Sequence, residues 1–96
     1  MPAFTVRVQL NGNPTWDDYE KLHEDMENAG YNRFIRGSNN EPYDLPDAEY
    51  DLPQSGLTVG EVRDQVLEIA KGVHPKPAPW VLVTQSAGRA WSTKKL

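Results

Sequence analysis

An α+β fold, with two helices on one face of a four-stranded antiparallel sheet, is predicted by three features of this sequence. A strictly alternating apolar run opens the chain. Two amphipathic segments with capping signals flank a stretch rich in aromatic and proline residues, and a second apolar run, WVLVTQ, follows the later helix.

In FTVRVQL, residues 4–10, Phe4, Val6, Val8 and Leu10 alternate with Thr5, Arg7 and Gln9, the period of a strand with one buried face. NGNP ends it. Thr15 then reads as a helix N-cap, and Asp17 and Asp18 place negative charge where the helix dipole favours it. Trp16, Tyr19, Leu22, Met26 and Ala29 recur at three- and four-residue steps, and Gly30 supplies a left-handed stop, so the helix is expected over 16–29.

YNRFIRG returns to an extended pattern, SNNE is a turn, and PYDLPDAEYDLP carries Tyr43, Leu45, Tyr50 and Leu52, giving a second and third strand joined as a hairpin. Pro42, Pro46 and Pro53 each remove a ladder donor and favour edges or irregular pairing. TVGE, residues 58–61, has the form of a capping box. Behind it Val59, Val62, Val66, Ile69, Ala70 and Val73 form a core stripe, with Gly72 as the stop. HPKPAP is a stiff connector, WVLVTQ the last strong strand, and SAGRAWSTKKL a turn with a short extra strand and a basic end.

The order strand, helix, strand, strand, helix, strand within 96 residues fits the ferredoxin-like split βαβ arrangement, read as one domain over residues 1–96. Its second sheet face is open, and Thr5, Arg7 and Gln9 lie on it. Such a face is solvated, binds a ligand or pairs with a second copy; a homodimer through it is expected. Cysteine is absent, which removes disulfides, thiolate catalysis and cysteine zinc sites. No apolar run approaches the roughly 20 residues of a membrane span, and the N-terminus lacks a signal-peptide pattern, so a cytoplasmic location is expected. The net charge of -4 disfavours indiscriminate nucleic-acid binding but leaves room for a local basic site.

In this layout the opening strand FTVRVQL, the helix WDDYEKLHEDMENAGY, the hairpin ending in AEYDLP, the helix TVGEVRDQVLEIAK and the strand VLVTQ resemble the GhoS-type antitoxin endoribonuclease family, which shares its fold with a CRISPR spacer-acquisition nuclease subunit. The resemblance implies a type V antitoxin that cleaves single-stranded messenger RNA encoding a small membrane toxin, without a bound cofactor. Where the CRISPR relative places a metal-ligating aspartate after the first strand, this chain has Asn11, a poor lone ligand for a divalent cation, so no metal is expected. Where GhoS has an arginine on its first helix implicated in cleavage, alignment from the end of that helix places His23. An implicated aromatic near the start of the third strand corresponds to Tyr50.

His23 borders the stripe of the first helix. One role is that of a half-exposed boundary residue; the other is a general base for a ribose 2′-hydroxyl, since imidazole titrates near pH 6.5. Arg7 is the candidate for stabilising an anionic transition state. Arg33, Arg36 and Tyr50 are candidates for RNA binding, by guanidinium–phosphate pairing and base stacking. Solvation and ion pairing are the ordinary roles of such arginines, and core packing that of Tyr31, Tyr43, Tyr50, Trp80 and Trp91. His74, beyond the second helix, is expected too far from His23 for a paired site, and the carboxylates of DDYEKLHEDME form a solvated helix face. The competing reading is a non-catalytic dimeric module that binds a protein partner or regulates one.

Overall fold

The computed structural model describes residues 2–37 and 40–96. Its elements are β1 (Ala3–Gln9), α1 (Trp16–Asn28), β2 (Phe34–Arg36), β3 (Pro42–Asp44), β4 (Glu49–Leu52), α2 (Val59–Val73) and β5 (Trp80–Ser86). β1 is the centre of a three-stranded antiparallel sheet in the order β4-β1-β5, and β2 pairs with β3 as a separate two-stranded hairpin. The chain is thus α+β with two helices and antiparallel sheets.

The alternation in β1 sets the layers. Phe4, Val6, Val8 and Leu10 are buried and pack with Leu22 and Met26 of α1 and with Val62, Val66 and Ala70 of α2. Arg7 and Gln9 point to the other face and are exposed. Both helices begin with a complete capping box, Thr15 with Asp18 and Thr58 with Glu61, each satisfying two otherwise orphaned backbone donors.

The single four-stranded sheet expected from the sequence is divided. The stretch anticipated as one third strand is broken between Asp44 and Glu49, where Pro46 lacks a donor and Ala48 takes φ 61°. Its first part pairs with β2 and its second with β1. Asn32 bridges to the larger sheet: its amide donates to the Asp51 carbonyl at 2.8 Å, and the Asp51 amide donates back at 2.7 Å. The turn expected at SNNE includes Ser38 and Asn39, which lie outside the described residues.

Three smaller expectations also change. Trp16, placed in the apolar stripe, is 77% exposed at the first position of α1. Val59 likewise remains largely exposed at the start of α2. Gly72 does not end α2, which continues to Val73 and caps at His74 immediately before Pro75.

The short extra strand expected near the C-terminus is a single bridge between Lys95 and Tyr43. Asp44 donates its amide to the Lys94 carbonyl at 2.8 Å, Leu96 donates to the Pro42 carbonyl at 3.1 Å, and Trp91 lies 6.0 Å from the Tyr43 ring. Arg89 forms an ion pair at 2.5 Å with Asp51, a buried carboxylate of β4. The segment therefore straps across the β4 side of the open face, over Thr5 and Glu49.

At the other end, Gly12 has φ +80°, and a Cβ built there would lie 2.8 Å from the Cδ of Pro77. Gly12→Ala is expected to destabilise by about 1–3 kcal/mol, through left-handed strain and displacement of the 74–79 connector. A lower urea midpoint at unchanged slope would check this.

Candidate functional site

His23 is on the second turn of α1, on the flank that faces the start of β4. Tyr50 is the residue opposite Val6 in the sheet, so it shares the helix-covered face and is fully buried. The imidazole Nδ1 and the Tyr50 hydroxyl are 2.6 Å apart, and the rings are tilted at 5.8 Å between centroids. Tyr19, one turn earlier on α1, has its ring tilted at 6.4 Å from the His23 ring, and its hydroxyl accepts the Leu10 amide at 3.2 Å.

Hydrogen-bond accounting fixes the polarity of this pair. The Tyr50 hydroxyl has no other partner among the described residues. A buried hydroxyl hydrogen without an acceptor carries a desolvation cost, so Tyr50 donates to Nδ1. Neutral His23 then carries its proton on Nε2, as a donor. Burial, reinforced by Arg33, holds the imidazole pKa below its ordinary value; Glu20, Glu27 and Asp47 oppose that shift. Burial raises the Tyr50 phenol well above its ordinary range, so it is neutral at physiological pH.

His23 and Arg33 form the ridge between two depressions. One, about 240 Å³, is lined by Trp16, Tyr19, His23, Arg33, Asp47 and Ala48. The other, wider and more polar at about 490 Å³, is lined by Asp17, Glu20, Lys21, His23, Glu24, Glu27 and Arg33. A guanidinium and a neutral imidazole thus meet beside an exposed indole, with carboxylates on the helix side.

His23, Tyr50 and Arg33 come together; the other candidates do not. Arg7 points to the open face of β1, while His23 bonds Tyr50 on the helix-covered face, so strand parity places the two expected catalytic residues on opposite faces of the sheet. Arg36 is on the β2–β3 hairpin, its guanidinium 5.2 Å from the Phe34 ring centre and bonded to the Asn40 carbonyl at 3.0 Å. Tyr50 cannot stack on a base, because none of its ring is exposed; it reaches the site only through His23. Tyr31 is also a core residue, donating its hydroxyl to Gln65 at 2.6 Å.

His74 caps α2 with its Nδ1 3.5 Å from Asp18 in the first turn of α1, five residues before His23, and it makes no contact with His23 among the described residues. Asn11 ties its loop to the connector, donating to the Ala78 carbonyl at 2.8 Å while accepting from Gln9 at 2.9 Å. Among the described residues, no three His, Asp or Glu side chains are grouped to hold a metal ion, and no helix is long and apolar enough to cross a membrane.

Sequence reasoning missed Trp16 and Asp47. Trp16 matched the apolar period, and only its place at the first helical position marked it as able to overhang the core. Asp47 lies in a proline turn, a loop signal that carries no site signal of its own.

The class defined by this geometry is a small α+β protein with a histidine–tyrosine–arginine cluster at the edge of its helical layer. No protein-family model matches the chain, and a search of curated proteins returns no significant match.

Proposed function

We propose that this chain is a GhoS-type antitoxin module of ferredoxin-like, split βαβ topology that engages single-stranded RNA at the ridge formed by His23 and Arg33. For the topology, the support is the placement of Asn32: its bridge to Asp51 occupies the outer edge of β4, the position of the fourth strand in that arrangement. For the site, one observation carries the reading. The two positions that the family resemblance marks, His23 on the first helix and Tyr50 near the start of the strand beside β1, are in direct contact at 2.6 Å.

The chemistry offered is two donors to one phosphodiester: the Arg33 guanidinium and the Nε2–H of His23, with Trp16 beside them as a stacking plate for an unpaired base. Asp17, Glu20, Glu24 and Glu27 repel the rest of a polyanion, so contact is confined to a few nucleotides. Cleavage would proceed by attack of a ribose 2′-oxygen on the adjacent phosphate with breakage of the P–O5′ bond, to give a 2′,3′-cyclic phosphate. The 2′-hydroxyl proton would pass to water, the 5′-oxygen would leave as a hydroxyl protonated from water, and these donors would stabilise the anionic phosphorane. A general base at His23 requires a bare Nε2, which is the opposite tautomer from the one favoured by the Tyr50 hydroxyl. That hydrogen bond favours a second reading, in which the module holds RNA without cutting it.

The test is incubation with a pool of unstructured RNAs, with and without chelator, beside His23→Ala and Arg33→Ala, mapping new ends and measuring binding. Chelator-resistant ends lost in His23→Ala are the result expected of the nuclease. Binding without new ends, weakened roughly tenfold in Arg33→Ala by loss of a charged hydrogen bond, is the result expected of the holding module. Folded protein that neither binds nor cuts across the pool overturns both.

A further inference from the structure

We propose that two copies of this chain pair antiparallel along the outer edges of β5, about a two-fold axis at Leu82, to make one continuous six-stranded sheet. The two edges of the three-stranded sheet differ in kind. The outer edge of β4 is occupied by Asn32, and the strap from Arg89 onward covers the adjoining part of the open face. β5 has no such cover: among the described residues, its backbone bonds reach only β1.

Unpaired edges are normally guarded by charge, proline, bulges or shortness. β5 is seven residues long, WVLVTQS, with neither a charged residue nor a proline inside it. It also presents Trp80 at 67% and Leu82 at 64% exposure on the open face. Such an edge calls for an extended partner, and a second copy satisfies it with closed symmetry, leaving no further edge of the same kind.

The side chains select the register. With the axis at Leu82, Leu82 meets Leu82 of the second copy and Val81 meets Val83, while Trp80 lies opposite Thr84. Moving the axis to Val83 sets Leu82 against Thr84 and Val81 against Gln85. Moving it to Val81 leaves only Trp80 to Leu82 paired within the strand and brings Pro79, which has no donor, opposite Val83. Charge does not oppose the arrangement. Arg7 is the β1 partner of Leu82, so the two Arg7 residues stand three strand spacings apart, ~14 Å, beyond the ~8 Å Debye length at physiological salt.

The absence of cysteine allows a direct test. Leu82→Cys is expected to oxidise to a covalent dimer, because paired residues on antiparallel strands have Cα atoms ~4.5–5.5 Å apart, within disulfide range. Thr84→Cys is expected not to do so, since its copies would be ~14 Å apart along the strands. Sedimentation of the cysteine-free native chain is expected to give a dimer, and Leu82→Lys, at an exposed site, a folded monomer by circular dichroism. A monomeric native chain at high micromolar concentration overturns the proposal. So does selective crosslinking through Thr84→Cys, or a dimer that survives Leu82→Lys.

Discussion

Arg89→Ala is expected to destabilise the protein by about 2–4 kcal/mol, the range for stranding a buried charge without its partner. Asp51 is 5% exposed and sits in β4 opposite Thr5, hemmed in by the central strand on one side and by Asn32 on the other. Those ladders fix its backbone, and its carboxylate lies on the open face with Thr5, shielded from water by the strap that begins at Arg89. Arg89 supplies the countercharge at 2.5 Å and also fixes the start of the strap that ends on β3. Loss of Arg89 therefore either leaves the carboxylate uncompensated beneath the strap or relieves it by lifting the strap away, and both cost stability.

The reverse substitution is expected to cost less. Asp51→Ala removes the buried charge, and Arg89, whose side chain is already 26% exposed, turns outward into solvent. The two variants are distinguished by urea unfolding, and release of the strap by faster hydrogen exchange at the Asp44 amide, which bonds to Lys94. An equal or larger loss in Asp51→Ala would mean that backbone pairing, not the ion pair, holds this edge. The double variant is expected to lose less than the sum of the two.

The elements legible in the sequence were those with a long period. β1 and both helices repeat their apolar spacing over at least two turns or three alternations, so burial on one face dominates any local preference. The middle of the chain was less legible because the segment around Pro46 and the left-handed Ala48 splits it into two short strands, and the choice between β1 and β2 as partner for each is made by tertiary packing. The meeting of His23 and Tyr50 depends on helix azimuth against strand parity, which periodicity constrains only loosely. The same parity argument, applied to Arg7, was sufficient to place it on the opposite face from Tyr50, since Val6 and Tyr50 pair across the sheet. The Arg89–Asp51 pair carried no advance signal: an arginine after a glycine in a basic tail reads as solvated until the tail is seen to fold back.

Tyr50→Phe is expected to cost about 1–3 kcal/mol near neutral pH, because it removes the hydroxyl donor and leaves the Nδ1 of His23 unpaired in a partly buried position. The pH dependence follows from the same bond. His23 has a folded pKa below its unfolded value of 6.5, so in the window between them the unfolded chain binds more protons. The contribution of the neutral imidazole is therefore full above about pH 6.5 and is lost as pH falls through that window. Without the tyrosine donor the neutral form is less favoured, so the unfolding free energy of Tyr50→Phe should fall less steeply from pH 7 to pH 5 than that of the native chain. Nitrogen NMR of His23 at pH 7.5 reads the cause directly: an unprotonated Nδ1 and a protonated Nε2 are expected. The opposite tautomer would break the hydrogen-bond argument and expose Nε2 as a base toward Arg33, making cleavage rather than holding the better account of the ridge.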